Sequence, residues 1–436
     1  MHEFSYRDRV LFCEDVSLPE LAERHGTPLY VYSAKTIRDH YRRLDGALQG
    51  LDHRVCFAMK ANSNLAVLAL LAREGAGFDI VSGGELFRVL RAGGRADTCT
   101  FAGVGKTREE IEYALREGVY SFNVESEPEL EFINEVAGEL GLRAPVALRV
   151  NPDVDAQTHK YISTGKSHNK FGIGLDRILG LYAAASKLPN LRLRGIQTHI
   201  GSQILETTPF VEALRKLVPV VEELKNAYGI EFFSIGGGVG IIYHGTLASG
   251  APDWWKRADE DGGQRIGFDD YARAVVPLLQ PLGLKILLEP GRSLVGNAGA
   301  LLTSVLYVKR TPTKNFVITD AGMNDLIRPA LYEGHHEIVP LRDPPLGTPV
   351  RRVDVVGPVC ESGDFFAQDR ELVDVAPGQH LALLSAGAYG FVMASNYNSR
   401  RLPAEVLVEG DRAEVVRARQ TWDDLVAGER VVDSAV

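Results

Sequence analysis

The sequence predicts an α/β protein, a (β/α)8 TIM-like barrel followed by a second, mostly β domain at the C-terminal end. Between about residues 55 and 292, short apolar or β-branched runs alternate with segments of helical periodicity, which is typical of repeated βα units. Eight such units in roughly 240 residues match the size of a TIM barrel. After about residue 298 the helical periodicity gives way to strand-like runs separated by turns.

The eight predicted barrel strands are VCFAMKA from Val55, GFDIVS from Gly77, TCTFAGV from Thr98, SFNVES from Ser121, PVALRVNP from Pro145, LRGIQTHIGS from Leu193, EFFSIGGG from Glu231 and LKILLEPGR from Leu284. Thr107 with Glu110, and Ser126 with Glu129, are capping-box patterns that begin two of the helices. The polar connections 153–171 and 244–267 are expected either to cover the barrel mouth or to be plain surface loops. An open, doubly wound sheet is the alternative architecture.

Three segments follow from this pattern: an N-terminal segment 1–35, the barrel 36–297 and the β domain 298–436. VLFCEDV and LYVYSA in the first segment are strand-like, and we expect them to pair with the C-terminal sheet rather than with the barrel. The predicted strands of the β domain are LLTSVLYVKR, KNFVITDAG, VRRVDVVGP, HLALLSAG and AEVLVEGDRAEVVRA.

Composition excludes several classes of protein. With 45% hydrophobic and 24% charged residues over 436 positions, the chain is not collagen-like, disordered or a disulfide scaffold. A net charge of −9 without a basic stripe argues against nucleic acid and anionic membranes as partners. The charged N-terminus and the lack of an apolar span of ~18 residues predict a cytoplasmic protein.

The four cysteines, Cys13, Cys56, Cys99 and Cys360, contain no CxxC pair, so we expect neither disulfides nor a cysteine zinc site. The adjacent His335 and His336 point apart on a helix and lack a carboxylate at ligand spacing. We therefore predict no metal site.

Polar residues stand where the predicted barrel strands end, and in a TIM barrel these ends meet at one mouth. The polar residues are Lys60, Asp79, His199, Ser202, Glu289 and Arg292, and glycines stand beside them at Gly236 to Gly238 and at Gly291. Taken singly, each has an ordinary structural interpretation: a snorkelling lysine, a core histidine, a tight glycine turn, or an ion pair between Glu289 and Arg292. The glycine run also fails the GxGxxG pattern, because position 241 is Ile241.

Taken together, these groups supply what pyridoxal phosphate (PLP) needs from a protein. A lysine amine can form a Schiff base with the aldehyde, and glycine N–H groups can bind the phosphate. An imidazole can lie on the ring face, and a carboxylate can keep the pyridine nitrogen protonated. The protonated ring then accepts electrons from a carbanion at the substrate Cα.

The chain also resembles the fold type III (alanine racemase-like) PLP-dependent decarboxylases, and among them the diaminopimelate decarboxylases, over nearly its whole length. The resemblance rests on FAMKAN at 57–62, GFDIVSGGE at 77–85, HKYISTGKSHNKFGI at 159–173, HIGSQ at 199–203, GGGVGI at 236–241, EPGR at 289–292, DAGMNDLIRPALY at 320–332, GPVCESGD at 357–364 and GAYG at 387–390. Their joint occurrence in this order is highly specific.

The resemblance implies a role for each residue. Lys60, His199 and Cys360 would be catalytic, with Lys60 bound to PLP, His199 on its ring face and Cys360 donating a proton to Cα. The residues implied to bind the cofactor are Lys60, Asp79, His199, Ser202, Gly236, Gly237, Gly238, Glu289, Gly291, Arg292 and Tyr389. Those implied to bind substrate are Arg292, Arg328, Tyr332, Glu361 and Tyr389. Asp79 would support His199.

The implied reaction is decarboxylation of meso-2,6-diaminopimelate to L-lysine and CO2, the last step of lysine biosynthesis. The alternatives are a sister PLP enzyme (an ornithine, arginine or carboxynorspermidine decarboxylase, or a racemase) and a catalytically silent relative that binds a partner. The family also implies a homodimer in which the CESGD loop of one subunit completes the active site of the other.

Overall fold

The computed structural model describes residues 2–155, 170–250 and 266–432. They divide into two compact units. The β unit comprises Met1–Lys35, Tyr243–Ala251 and Asn297–Val436, and the barrel unit comprises Thr36–Ile242 and Pro252–Gly296. The segment from Tyr243 thus groups with the β unit, although it lies inside the range 36–297 that the sequence assigned to the barrel. The predicted loops 153–171 and 244–267 lie largely outside the described residues.

The N-terminal elements of the β unit are β1 (Phe4–Arg7), β2 (Val10–Cys13), β3 (Val16–Ser17), α1 (Leu18–His25) and β4 (Leu29–Ser33). VLFCEDV supplies β2 and β3, which form a three-stranded antiparallel sheet with β1. Its expected pairing with the C-terminal strands is limited to an isolated antiparallel bridge between Val10 and Arg342. Positive φ angles at Asp8, Arg9 and Glu14 turn the chain back on itself and favour local pairing. LYVYSA supplies β4, which does join the large sheet.

The strands of the barrel unit are β5 (His53–Ala58), β6 (Gly77–Ile80), β7 (Cys99–Phe101), β8 (Ser121–Val124), β9 (Ala144–Asn151), β10 (Ile173–Gly174), β11 (Leu191–Thr198), β12 (Phe232–Ser234) and β13 (Lys285–Leu288). Its helices are α2 (Ala34–Ala47), α3 (Leu65–Arg73), α4 (Gly83–Arg91), α5 (Arg108–Glu117), α6 (Glu127–Glu139), α7 (Ile178–Ala185), α8 (Thr208–Tyr228), α9 (Phe268–Leu279) and α10 (Arg292–Val295).

Eight parallel strands close into a ring, because β13 pairs with β5 and β8 pairs with β9. The short β10 pairs with β9 as an additional strand. All eight predicted strands are confirmed, and the open-sheet alternative is wrong. Strands β6, β7 and β8 are buried at every position, as expected for a parallel sheet that is covered on both faces.

Two predicted helix starts are seen, but only one is a complete capping box. The Thr107 hydroxyl accepts from Glu110 N, and the Glu110 carboxylate accepts from Thr107 N. At α6 the Ser126 hydroxyl accepts from Glu129 N. The Glu129 carboxylate accepts from Lys106 Nζ and Glu125 N instead. These two donors replace the bond from Ser126 N that would complete the capping box.

The remaining elements of the β unit are β14 (Gly299–Arg310), β15 (Asn315–Thr319), α11 (Arg328–Tyr332), β16 (Ile338–Pro340), β17 (Val350–Val356), β18 (Phe365–Val373), β19 (His380–Leu383), β20 (Ala404–Glu409), β21 (Arg412–Arg417) and α12 (Trp422–Leu425). The large sheet has the order β18-β17-β15-β14-β4-β20-β21, and β19 pairs with both β14 and β16. All five predicted runs form strands. Strands β16 and β18 were not predicted.

Within the described ranges, no helix has both the length and the apolar character needed to cross a bilayer. The four cysteines are free: Cys13, Cys56 and Cys99 are buried, and Cys360 is exposed. Burial raises the pKa of each of the three buried thiols. Cys360 is therefore the accessible thiol among them.

Candidate active site

Lys60 lies in a 3₁₀ turn directly after β5, at the carboxyl end of a barrel strand. Its Nζ is 2.8 Å from Oδ2 of Asp79 in the neighbouring strand β6. The lysine side chain is 41% exposed, whereas the aspartate is 1% exposed. An amine is thus held at a fixed point of the barrel mouth by a buried carboxylate and remains accessible.

Asp79, which we expected to support His199, has its described partner in Lys60. Its other oxygen, Oδ1, is buried and has no hydrogen-bond partner among the described residues. A buried carboxylate oxygen without a partner is costly in a folded protein. The site therefore has an acceptor that a bound molecule can satisfy.

The EPGR turn after β13 packs against the Lys60 turn. Pro290 O accepts from Ala58 N at 2.9 Å. A Cβ at Gly291 would lie 3.1 Å from both Ala58 O and the Ala61 side chain. Because Gly291 has no side chain, the two turns can approach closely, and this contact helps to position Lys60.

Glu289, immediately after β13, is buried and satisfied by three polar side chains. Its carboxylate accepts from Ser234 Oγ at 2.7 Å, from Gln197 Nε2 at 2.9 Å and from Asn123 Nδ2 at 3.3 Å. Burial and the nearby Asp79 raise the pKa of Glu289 to about 7. A cationic group placed beside it would stabilise its charged form.

His199 follows β11, and its Nδ1 lies 3.2 Å from Gly237 N. A backbone N–H can only donate, so Nδ1 accepts and carries no proton. Burial, and then the charges of Arg149 and Lys60, hold the pKa of His199 well below its ordinary value. The imidazole is therefore a neutral, flat ring at the barrel mouth.

The glycine turn after β12 exists because side chains do not fit there. A Cβ at Gly236, Gly237 or Gly238 would lie 2.4, 2.2 or 2.6 Å from the carbonyl oxygen of Thr198, Glu289 or Gly201, respectively. Gly236 N donates to Ser234 Oγ and Gly237 N donates to His199. Gly238 N has no acceptor among the described residues, so it is a donor that the turn can offer to an anion.

Ser202 and Arg292 meet in the same unit. Arg292 Nη2 donates to Ser202 Oγ at 3.1 Å, and the arginine is buried. A guanidinium and a hydroxyl close together form an anion-binding pair. The neighbouring Gln203 braces this region through paired hydrogen bonds with the backbone of Ile241.

The other predicted site residues belong to the β unit. Arg328 and Tyr332 lie on α11. Arg328 is 6% exposed, and its Nη1 is 2.7 Å from His336 Nε2. Tyr389 adopts a left-handed backbone conformation (φ 56°), which is uncommon for a bulky residue and typical of functional turns.

Cys360 and Glu361 are both exposed, on the loop between β17 and β18. Cys360 N donates to Asn398 Oδ1 at 3.1 Å, and Tyr397 OH donates to the Glu361 carboxylate. Asp364 organises the loop, since its two carboxylate oxygens accept from Val359 N and Met323 N at 2.6 Å each. The loop thus presents a thiol and a carboxylate from a fixed backbone.

Sequence reasoning missed a buried charge network in the barrel unit. Arg149 Nη1 binds Glu125 Oε1 at 2.9 Å, and Lys106 Nζ binds Glu129 Oε1 at 2.6 Å. Arg149 influences the site through its charge, which lowers the pKa of His199. The sequence did contain a signal: Arg149 lies inside the apolar run PVALRVN, and a buried arginine requires an acidic partner.

These residues fit pyridoxal phosphate. The accessible Lys60 amine, the unpartnered Asp79 oxygen, the buried Glu289 carboxylate and the neutral His199 ring are groups of the kind that its aldehyde and ring need. Gly238 N and the Ser202–Arg292 pair could donate to its phosphate. This geometry can support chemistry at an amino-acid Cα.

Comparison with known proteins agrees with this geometry. The family model for the pyridoxal binding domain of pyridoxal-dependent decarboxylases matches residues 34–296. The chain is 52% identical to the diaminopimelate decarboxylase of Pseudomonas aeruginosa, covering 99% of this chain and 100% of that protein. It is 46% identical to that of Aquifex aeolicus, covering 97% and 96%.

Solved structures give the same result. The diaminopimelate decarboxylase of Helicobacter pylori complexed with L-lysine has a TM-score of 0.86 at 40% identity, covering 94% of this chain and 98% of that one. The diaminopimelate decarboxylase of M. jannaschi has a TM-score of 0.90 at 38% identity, covering 100% of this chain and 99% of that one. With both the barrel geometry and full-length similarity in agreement, the chain belongs to the diaminopimelate decarboxylase family of pyridoxal-dependent decarboxylases.

Proposed function

We propose that this protein decarboxylates meso-2,6-diaminopimelate at its D centre, yielding L-lysine and CO2 in the last step of lysine biosynthesis. The observation that carries the proposal is the Lys60–Asp79 pair at the mouth of the barrel, in a chain that matches diaminopimelate decarboxylases over nearly its whole length. An accessible lysine fixed by a buried carboxylate suits covalent attachment of a cofactor aldehyde.

Pyridoxal phosphate, when bound, supplies an electron sink for the charge left at Cα when CO2 departs. Lys60 would hold it through Nζ, and Glu289 would face the ring nitrogen. His199 would lie against the ring as a neutral group, with its orientation set by Gly237 N. Ser202, Gly238, Arg292 and Tyr389 would bind the phosphate, while Gly236, Gly237 and Gly291 shape the turns around it.

The substrate has a second amino-acid head, and the predicted binding residues match its charges. Arg328, together with Arg292, would bind carboxylate, because a guanidinium offers paired donors to two oxygens. Glu361 would pair with the distal ammonium, and Tyr332 and Tyr389 would complete the pocket. A simple diamine has no distal carboxylate and would leave the buried Arg328 without its anion.

We further propose a homodimer in which the CESGD loop completes the partner's site, with Cys360 donating the proton to Cα after CO2 leaves. The exposure of Cys360 and Glu361 supports this, because both lie at the surface of the chain. The four free cysteines are those expected in a reducing compartment, and we propose the cytoplasm.

The experiment is CO2 release from a panel of amino acids by the purified enzyme with added pyridoxal phosphate. We expect diaminopimelate to exceed ornithine, arginine and carboxynorspermidine by ~10² or more in kcat/KM, since these lack the matched distal head. Arg328→Leu should lose turnover of diaminopimelate and keep its cofactor absorbance. Equal kcat/KM for ornithine and diaminopimelate would favour the sister decarboxylases.

A further inference from the structure

The side chain of Arg328 is fixed by a histidine that no motif singled out as a site residue. Arg328 Nη1 lies 2.7 Å from Nε2 of His336, and both residues belong to the β unit. A guanidinium has donors only, so Nε2 of His336 must be the acceptor. The arginine therefore depends on a ring nitrogen that carries no proton.

The contact of the second ring nitrogen shows where the proton of His336 is. His336 Nδ1 lies 2.8 Å from the carbonyl oxygen of Leu384, and a carbonyl only accepts, so Nδ1 carries the proton. His336 is 0% exposed. It is consequently a neutral imidazole in one defined tautomer, tied to the β19 end on one side and to Arg328 on the other.

Two further groups border the guanidinium. Its Cζ lies 4.3 Å from the centroid of the Tyr243 ring, and that ring meets His336 edge-on at 5.4 Å. On another side, a Cβ at Gly334 would lie only 3.2 Å from Arg328 Nη2. The guanidinium is therefore bordered by the face of the Tyr243 ring, by the His336 acceptor and by Gly334, where any side chain would be crowded against it.

We propose that His336 is a positioning residue that holds the Arg328 guanidinium ready for the distal carboxylate of the substrate, with Tyr243 as the supporting face. The inference rests on the proposed function, since it takes Arg328 as the ligand of that carboxylate. An arginine that is already ordered loses less rotamer entropy on binding, and this favours substrate affinity over the chemical step.

Two substitutions separate the two hydrogen bonds of His336. Asparagine can place an amide N–H near the Nδ1 position and keep the bond to Leu384 O, but it has no acceptor at the Nε2 position. Glutamine can place its Oε1 near Nε2 and keep the bond to Arg328. We expect His336→Asn to raise KM for diaminopimelate roughly tenfold with kcat within about twofold, and His336→Gln to stay within about threefold of wild type.

A double-mutant cycle tests whether the effect runs through the arginine. In an Arg328→Lys background, His336→Asn should add little further loss in KM, because the group it positions is gone. Cofactor absorbance and thermal midpoint are measured for every variant. If the His336 variants do not fold, Tyr243→Leu against Tyr243→Phe gives the same comparison, since phenylalanine keeps the ring face.

Equal losses in the asparagine and glutamine variants, a fall in kcat at unchanged KM, or full additivity with Arg328→Lys would each overturn the inference. Failure of the proposed function is a separate result. It would appear first in the wild-type enzyme, as no CO2 release from diaminopimelate, and would remove the basis of this inference too.

Discussion

At the scale of single residues, Asp325 combines burial with a titratable group. Its carboxylate accepts from Gly322 N at 2.9 Å. Burial and the nearby Asp320 raise its pKa to about 7, against the lowering effects of Arg400 and Arg419. The folded protein therefore binds a proton here between about pH 4 and 7 that the unfolded chain has released.

This difference predicts the direction of a pH effect on stability. Because the folded state holds the extra proton, its free energy of unfolding falls as pH rises from about 4 to 7, by about 4 kcal/mol at most from this group. Asp325→Asn keeps an acceptor for Gly322 N and cannot ionise. We expect its free energy of unfolding in urea to fall less than that of wild type between pH 5 and 8.

The control is Asp411→Asn, which removes an exposed carboxylate of the same unit and should keep the wild-type pH dependence. An Asp325→Asn protein with the same loss of stability between pH 5 and 8 as wild type would show that Asp325 ionises normally in the folded state.

Lys60 gives a second prediction at this scale. Purified protein with pyridoxal phosphate should be yellow, with an absorbance band that borohydride removes, and Lys60→Ala should lack the band. Lys60→Arg should also lack it while keeping a cation beside the buried Asp79, which separates loss of attachment from loss of the ion pair.

Lys285→Ala, at a surface ion pair, is the control. A borohydride-sensitive band in Lys60→Arg would mean that another lysine holds the cofactor.

The sequence was sufficient to predict which polar residues follow the barrel strands, but not the residues that bind them. Lys60 and Glu289 stand out because they end apolar strands. Asn123, Gln197 and Ser234, which bind Glu289, lie inside strands, and each looks like an ordinary polar residue. Only the closed barrel brings these three strands to the Glu289 carboxylate. Their role could therefore not be predicted without knowing the order of the strands in the barrel.

At the scale of elements, β17, β18 and the loop between them show what a pattern can miss. FFAQDRELV forms β18 although it contains three charged residues in succession, which weaken the strand pattern. Its pairing partner β17 supplies the stability that the local pattern does not indicate. β16 has only three residues, too few for any periodicity.

The loop that joins these strands depends on Asp364. Val359 N and Met323 N bind different oxygens of the carboxylate. Asparagine replaces one of these oxygens with an NH2 group, which only donates, so one of the two backbone N–H groups loses its acceptor. We expect Asp364→Asn to lower kcat roughly tenfold or more and to speed alkylation of the exposed Cys360 several-fold, because a charged hydrogen bond is lost. The three buried cysteines should not react, so mass spectrometry reports on Cys360.

Glu371→Gln, an exposed carboxylate of β18, is the matched control and should alter neither measurement. Unchanged alkylation and kcat in Asp364→Asn would mean that the loop keeps its conformation without that carboxylate.

At the scale of the whole molecule, the proposed homodimer makes a quantitative prediction. Lys60→Ala and Cys360→Ala chains should each be nearly inactive. Co-expressed, they should regain about a quarter of wild-type activity in a random mixture, because half of the dimers would be mixed and each would carry one intact site. Verified mixed dimers without activity would place both residues in the site of one subunit, or Cys360 outside it.

The position of β4 in the large sheet has a consequence for how the protein is made. This strand pairs with β14 on one side and β20 on the other, and those strands begin at Gly299 and Ala404. At typical synthesis rates, β4 leaves the ribosome tens of seconds before either neighbour exists. The whole barrel sequence emerges in that interval, so we expect the barrel to close first and β4 to be the segment that chaperones shield in the nascent chain.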